Sequence, residues 1–214
     1  NCAFRHRLLD VQPGPCLRFA TPDGEREVRP RAVLLSMGGA SWPQTGSDGT
    51  WATSLASHGI RINTFAPANC GFECDWSPRL KTAAGKPLKT IAVAFGEHRT
   101  RGELVITDYG LEGGALYALG KPLREALERG DPALLAIDLK PDVELEPLVK
   151  RIADTPKGTK PDTMLSERLR LSDTAIALIH EYTAPDERRD PRRLAARIKA
   201  LPIPVLRPRP IAEA

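Results

Sequence analysis

The residues whose types and spacing could meet a ligand lie in one run, Leu34-Leu35-Ser36-Met37-Gly38-Gly39-Ala40-Ser41-Trp42-Pro43-Gln44-Thr45-Gly46-Ser47-Asp48-Gly49. A buried-strand signal there empties into two glycines, then a loop holding Pro43, then a helix start. This order lets main-chain N–H groups come close to a large flat or phosphorylated ligand, because glycine has no Cβ to hold it off. Gly38, Gly39, Ala40, Ser41, Trp42, Pro43, Thr45 and Gly46 are the candidate contacts. Ser47 and Asp48 would open a helix whose positive end faces them. The competing account is a strand-to-helix connection that uses glycine only to turn, with Asp48 as a plain N-cap.

A second candidate is the loop Thr100-Arg101-Gly102-Glu103-Leu104-Val105-Ile106-Thr107-Asp108-Tyr109-Gly110-Leu111-Glu112-Gly113-Gly114, which sets Tyr109 between a strand and three glycines. Alone it reads as a barrel corner. Other chemistry lacks an anchor. The sequence holds no Gly-x-Gly-x-x-Gly, no Gly-x-x-x-x-Gly-Lys-Ser/Thr, no His-Glu-x-x-His and no Gly-x-Ser-x-Gly, so nucleotide hydrolysis, zinc proteolysis and serine hydrolysis are not indicated. His6, His58, His98 and His180 are scattered, and no pair recommends itself as acid and base, so the catalytic residues are left unassigned. His58 precedes Gly59 at an expected helix C-terminus, where an imidazolium meets the dipole favourably. Cys70 and Cys74 have a three-residue spacer and no accompanying Cys or His pair, which reads as two semi-buried thiols and no metal site.

The elements that must position these loops come in three styles. Residues Leu17 to Thr21, a turn at Pro22-Asp23-Gly24-Glu25, and Glu27 to Arg29 read as a hairpin. Ala32-Val33-Leu34-Leu35 then reads as a strand covered on both faces, and a helix bearing Trp51 and Leu55 ends at His58-Gly59. From about Pro67 to Pro141 the period is two. Leu88, Thr90, Ala92 and Ala94 alternate with Lys89, Ile91, Val93 and Phe95, followed by Glu103–Thr107 and Leu134–Leu139, with one helix from Lys121-Pro122 to Arg129. This predicts a small antiparallel barrel or sandwich. Beyond Pro141 the period is helical: Leu145, Leu148, Val149 and Ile152; Met164 or Leu165 with Leu169; Ala175, Ile176 and Ile179 after Ser172-Asp173; and Leu194, Ala195 and Ile198 after Asp190-Pro191. These predict a packing subdomain. The fold class is therefore α+β, a small barrel or sandwich plus a helical cap.

Composition narrows the class. Of 214 residues, 41% are apolar and 27% charged, which is a folded, water-compatible composition and not a disordered one. The net charge of +4 comes from interspersed basic residues, and the densest group, Arg188-Arg189 with Arg192-Arg193 and Arg197, reads as a solvated helix face rather than a nucleic-acid contact. Five Phe, three Tyr and three Trp are too few for a base-stacking surface. No run approaches the roughly 20 apolar residues of a membrane helix, and a cytoplasmic location is the default expectation. The first residue is Asn1 and not Met, and the last are Ile211-Ala212-Glu213-Ala214, so the chain is read as an excerpt of a longer protein.

Taken in order and spacing, the two loops resemble those of the BaiN-like (YhiN-like) flavoproteins, NAD(P)/FAD-dependent oxidoreductases with two dinucleotide-binding domains. Ser36-Met37-Gly38-Gly39-Ala40-Ser41-Trp42-Pro43-Gln44-Thr45-Gly46-Ser47 is similar to the family's Ala-Thr-Gly-Gly-x-Ser-Tyr/Trp-Pro-x-Thr-Gly-Ser. Gly102-Glu103-Leu104-Val105-Ile106-Thr107-Asp108-Tyr109-Gly110-Leu111-Glu112-Gly113 is similar to Gly-Glu-Leu-Leu-Phe-Thr-His-Tyr-Gly-Leu-Ser-Gly. Ser36-Met37 replaces Ala-Thr, and Asp108 and Glu112 replace His and Ser.

The resemblance implies that FAD is held mainly by an N-terminal Rossmann unit and a C-terminal return segment, neither of which lies in these residues. Residues 1–66 would be the remnant of the flavin-binding α/β domain, 67–140 the inserted barrel, 141–200 the helical subdomain, and 201–214, with a strand at 203–206, the return toward the flavin domain. Gly38 to Gly46 would lie against the flavin or its pyrophosphate and Tyr109 would approach from the barrel. The expected function is hydride transfer between flavin and NAD(P)H or a small-molecule substrate, with the flanking segments of the same protein as partners and with the excerpt itself inactive and weak in FAD binding. The alternative is a non-catalytic module that binds a protein or RNA partner.

Overall fold

A computed structural model describes residues 2–214, which fall into two compact units, residues 2–67 with 211–213, and residues 68–210 with 214.

The first unit is built on three antiparallel strands, β1 (Arg7–Gln12), β2 (Cys16–Thr21) and β3 (Gly24–Val28), in the order β1-β2-β3. The β2–β3 turn forms where Asp23-Gly24 predicts it. Thr21 Oγ1 accepts the Asp23 N–H at 3.2 Å and donates to the Gly24 carbonyl at 2.8 Å, and Gly24 takes φ 111°. The register of β1 against β2 shifts between Leu8 and Asp10, a bulge that turns Asp10 toward helix α1 (Trp51–Ser57). There Asp10 Oδ1 faces His58 Nε2 at 3.0 Å and receives the Ser54 hydroxyl at 3.4 Å.

Residues 32–35, expected as a doubly covered strand, are not a strand. Leu34 is 92% exposed and Leu35 39%. An extended segment becomes a strand only when a neighbour takes its N–H and C=O groups, and no described residue does so here.

The second unit holds a seven-stranded antiparallel sheet in the order β10-β4-β7-β6-β5-β8-β9. Its strands are β4 (Phe72–Glu73), β5 (Pro87–Phe95), β6 (His98–Ile106), β7 (Gly110–Glu112), β8 (Ala133–Asp138), β9 (Leu201–Val205) and β10 (Arg207–Pro208). The ladder is open, since β9 and β10 do not pair with each other. Yet only Leu206 separates them in the chain, so the sheet rolls until its two edges are covalent neighbours. Glu73 clips this seam: its carbonyl accepts the Leu206 N–H at 2.8 Å, and its carboxylate receives Arg207 at 2.7 Å and Arg209 at 2.9 Å. The strand expected to return toward the flavin domain thus belongs to this sheet, paired along β8. Only residues 211–213 join the first unit.

In β5 the simple alternation fails. A register shift between Leu88 and Ile91 resets the parity, so Leu88, Ile91 and Val93 are all buried.

Helices close the core. α2 (Pro78–Lys81), α3 (Gly114–Tyr117) and α4 (Gly120–Glu128) lie within the strand-rich part. α5 (Leu145–Ala153), α6 (Pro161–Thr163) continuing as a π-helical turn (Met164–Arg168), α7 (Asp173–Tyr182) and α8 (Pro191–Lys199) follow. Their starts carry the caps read in sequence: Ser172 accepts the Ala175 N–H at 3.2 Å and Asp190 the Arg193 N–H at 2.8 Å. These helices share one hydrophobic cluster with the sheet. Leu148, Ile179, Ala195 and Ile198 meet Val93, Leu135 and Ile137 in it, each large side chain contributing about 1.5–3 kcal/mol by leaving water. No helix of the described residues is long and apolar enough to cross a membrane.

Candidate functional site

In the first unit the glycine run is an exposed, internally braced loop. Gly38 takes φ 76°, Trp42 φ 47° and Gly46 φ 123°, three left-handed turns that fold the loop back on itself. Trp42 has no glycine's freedom there. Its carbonyl takes both the Thr45 N–H and the Thr45 hydroxyl at 2.8 Å, and its own N–H donates to the Ala212 carbonyl at 3.1 Å. The Pro43 carbonyl accepts the Gly46 N–H at 3.0 Å, completing a single 3-10 turn over Pro43–Thr45.

The two glycine carbonyls are committed. Ser47 Oγ donates to Gly39 O at 2.6 Å and Trp51 Nε1 to Gly38 O at 3.2 Å. In a trans peptide the N–H points opposite to the preceding C=O, so the N–H groups of Gly39 and Ala40 face away from Ser47 and Trp51. Among the described residues the N–H groups of Gly38, Gly39, Ala40 and Ser41 meet no acceptor. A side chain at Gly39 would touch nothing within 4 Å, whereas one at Gly38 would press on the Ser47 Cβ at 2.9 Å. One glycine is therefore required by the loop's own packing and the other is not.

The helix begins later than the sequence predicts. Asp48 accepts the Thr50 N–H at 3.0 Å and its hydroxyl at 2.7 Å, which holds the Asp48 carboxyl below its ordinary range, and Gly49 takes φ 74°. This Asx turn occupies the residues expected to be helical, and α1 starts at Trp51. Gly49 has a packing reason, since a Cβ there would meet Ala40 at 2.8 Å and Phe65 at 3.0 Å.

Beside the loop lies an open cleft of about 760 Å³. Ser36, Met37, Pro43, Gly46, Ser47 and Asp48 form one wall, and Arg7, Leu8, Leu9 and Val11 of β1 another. Of the expected contacts, Pro43 and Gly46 line it; Gly38, Gly39, Ala40, Ser41, Trp42 and Thr45 do not. Trp42 stands 50% exposed. The β1 wall is absent from the sequence reading, although Leu8-Leu9-Asp10-Val11 carries enough apolar residues to have signalled a strand.

Tyr109 lies in the second unit, in the turn from β6 to β7. Its hydroxyl donates to Glu112 Oε2 at 2.7 Å, and the Arg209 guanidinium lies 4.6 Å from its ring centroid. Burial, then the neighbouring Glu112 carboxylate, pushes the phenol above its usual range. The tyrosine is thus held by its own unit on one face and at its tip. Glu112, which departs from the serine of the resembling motif, is the acceptor that fixes it. Cys70 and Cys74 are buried thiols in no disulfide, the second pushed up to about 12 by desolvation, and His98 is exposed at the first position of β6. Among the described residues no three His, Cys, Asp or Glu side chains gather as a metal site would require.

Residues 66–214 match the family described as HI0933-like protein barrel and H2TH domain. Over 125 residues the chain is 26% identical to the 3-dehydro-bile acid delta(4,6)-reductase of Clostridium scindens, an alignment that covers 57% of this chain and 30% of the reductase. The chain spans less than a third of that relative's length.

Proposed function

Since the chain belongs to the HI0933-like barrel and H2TH family, we propose that it is a segment of a FAD-dependent oxidoreductase, with hydride passing between flavin and NAD(P)H or a small organic substrate. The observation that carries the reading is the glycine bend: four consecutive unsatisfied N–H groups, Gly38 to Ser41, on an exposed loop beside a cleft of about 760 Å³. On an exposed loop such donors face water, which the acceptors of a ligand can displace. They suit the electron-rich edge of a flavin or a phosphate oxygen.

The residues fit the cofactor to that extent. Gly38, Gly39, Ala40 and Ser41 would offer N–H donors, Gly39 would leave room for close approach, and Trp42, Pro43, Thr45 and Gly46 would hold the bend in shape. Tyr109 would contribute through its ring, its hydroxyl being engaged by Glu112. When bound, the flavin supplies a two-electron hydride carrier; the chain supplies orientation and exclusion of water. Similarity to a reductase supports reduction as the reaction class, while the bile-acid substrate stays with that relative. The division of the chain into a flavin-domain part and a barrel with helices, and a location in the cytoplasm, belong to the same proposal.

The test is the absorbance spectrum of the full-length protein. A flavin spectrum, bleached by NAD(P)H or another reductant and restored by air, is the expected result. A colourless preparation that added FAD leaves unchanged overturns it in favour of a partner-binding module.

A further inference from the structure

The second unit contains a cavity of about 470 Å³ that the flavin reading does not use. It opens between the start of β5 and the segment following β8, and its two sides differ in chemistry. The floor is apolar, with Leu88, Leu139 and Leu171 all nearly inaccessible. The rim is cationic, with Lys89, Lys140 and Arg170.

No carboxylate lies within ion-pair distance of any of these three cations among the described residues. One carboxylate, Asp142, also lines the cavity, and it is paired with Arg101; Asp138 nearby is engaged by Arg99 at 3.1 Å and Lys199 at 2.9 Å. Lys140 is half-buried and its ammonium donates to the Arg170 carbonyl at 3.1 Å. Partial burial, then the positive charges of Arg151 and Arg170, hold its ammonium below the usual lysine range against the opposing effect of the Asp142 carboxylate. Three cations against one carboxylate that is already paired leave the rim with excess positive charge, and a bound anion relieves the repulsion among the like charges.

The backbone at the rim is also unusual. Four non-glycine residues in the described chain have left-handed backbone, and two of them, Thr90 at φ 53° and Arg170 at φ 51°, border this cavity. A β-branched residue in that conformation is a true outlier. Such strain persists where the surroundings fix it and gathers at binding sites. Thr90 lies within the β5 register shift, which places Lys89 on the rim. Ser172, whose oxygen accepts the Ala175 N–H, keeps its hydroxyl proton free to donate.

We infer that this cavity binds a small molecule bearing a phosphate group on an apolar body, the phosphate held by Lys89, Lys140 and Arg170 and the body seated on Leu88, Leu139 and Leu171. The volume falls in the range of small-molecule sites and is far larger than an inorganic anion needs.

The experiment is calorimetric titration of the chain with phenyl phosphate, inorganic phosphate and phenol, read without flavin so that it stands apart from the reading above. Phenyl phosphate is expected to bind saturably, about tenfold or more tighter than inorganic phosphate, with phenol showing no measurable heat. Lys89→Gln removes an exposed ammonium that makes no hydrogen bond or ion pair, so the fold is retained, and it is expected to weaken phenyl phosphate by about tenfold. Lys140→Gln combined with Arg170→Gln is expected to abolish binding, and Lys157→Gln, on an exposed turn elsewhere, to leave it unchanged. The inference is overturned if phenyl phosphate does not saturate, if phenol binds equally well, if Lys89→Gln binds like the parent chain, or if a single-stranded oligonucleotide binds where phenyl phosphate does not.

Discussion

Arg209 lies over the Tyr109 ring, 4.6 Å from guanidinium carbon to centroid, while its Nη1 donates to Glu73 at 2.9 Å. One arginine therefore ties the β6–β7 turn to the seam of the rolled sheet.

Tyr109→Phe keeps the ring under the arginine and removes the hydroxyl that donates to Glu112, so a loss of about 1 kcal/mol is expected in urea denaturation. In the parent chain an ultraviolet pH titration should show Tyr109 ionising only above the ordinary tyrosine range, because burial and Glu112 both oppose the phenolate. Burial raises Tyr117 and Tyr182 as well, so the change is assigned by comparison with Tyr109→Phe, and ionisation of Tyr109 within the ordinary tyrosine range would contradict the geometry.

The two loop glycines should separate by stability. Gly38→Val meets Ser47 at 2.9 Å in a left-handed backbone and is expected to cost about 1–3 kcal/mol in the first unit. Gly39→Val meets nothing within 4 Å, so a change within about 0.5 kcal/mol is expected. In the full-length protein the same Gly39→Val should lower the flavin content of the purified enzyme. A Gly39→Val chain that unfolds would show the bend to be structural.

Gly110 makes the sharpest steric demand. A Cβ there would lie 2.1 Å from the Phe72 carbonyl oxygen and 2.7 Å from the Cys74 nitrogen, both backbone atoms of the β4 region. Gly110→Ala is expected to cost about 4 kcal/mol or to prevent folding, whereas Gly114→Ala, with no neighbour within 4 Å, should be within about 0.5 kcal/mol of the parent. Thermal melts of the pair decide it.

The Asp10–His58 contact should make the first unit acid-sensitive. The hydrogen bond from His58 lowers the Asp10 carboxyl from 3.8 to about 2, with Gln12 adding to the effect. A carboxyl lowered in the folded state contributes stability that is fully present above its unfolded value and lost as pH falls through the folded one. Protection of the β1 amides against hydrogen exchange should therefore decline between about pH 4 and pH 2, and His58→Ala should flatten that decline. An unchanged pH profile in His58→Ala would rule the contact out as the cause.

What could be read from sequence divides along the range of the forces involved. The β2–β3 turn, the Ser172 and Asp190 caps and the helical faces of α5 and α8 were legible because each is decided within a few residues. The apolar run at 32–35 was misread, since side chains advertise a wish for burial but not the partner strand that would provide it. β1 was missed and β5 mis-phased for one reason, a register shift that breaks the period-two pattern at Leu9 and again between Leu88 and Ile91. The cationic cavity was invisible because its marks, left-handed Thr90 and Arg170, sit on residue types that do not announce such backbone. The loop and its glycines were legible; the β1 wall of its cleft was not.

The single residue between β9 and β10 also governs the order of assembly. Glu73 and Arg207, partners across the seam, are 134 residues apart in sequence. As the nascent chain leaves the ribosome, β4 and β8 present bare edges until the segment 201–208 emerges, and that one segment then occupies both. Folding of the sheet is thus held back to the end of translation of this unit, with the slow kinetics of distant contacts and two adhesive edges exposed in the interval.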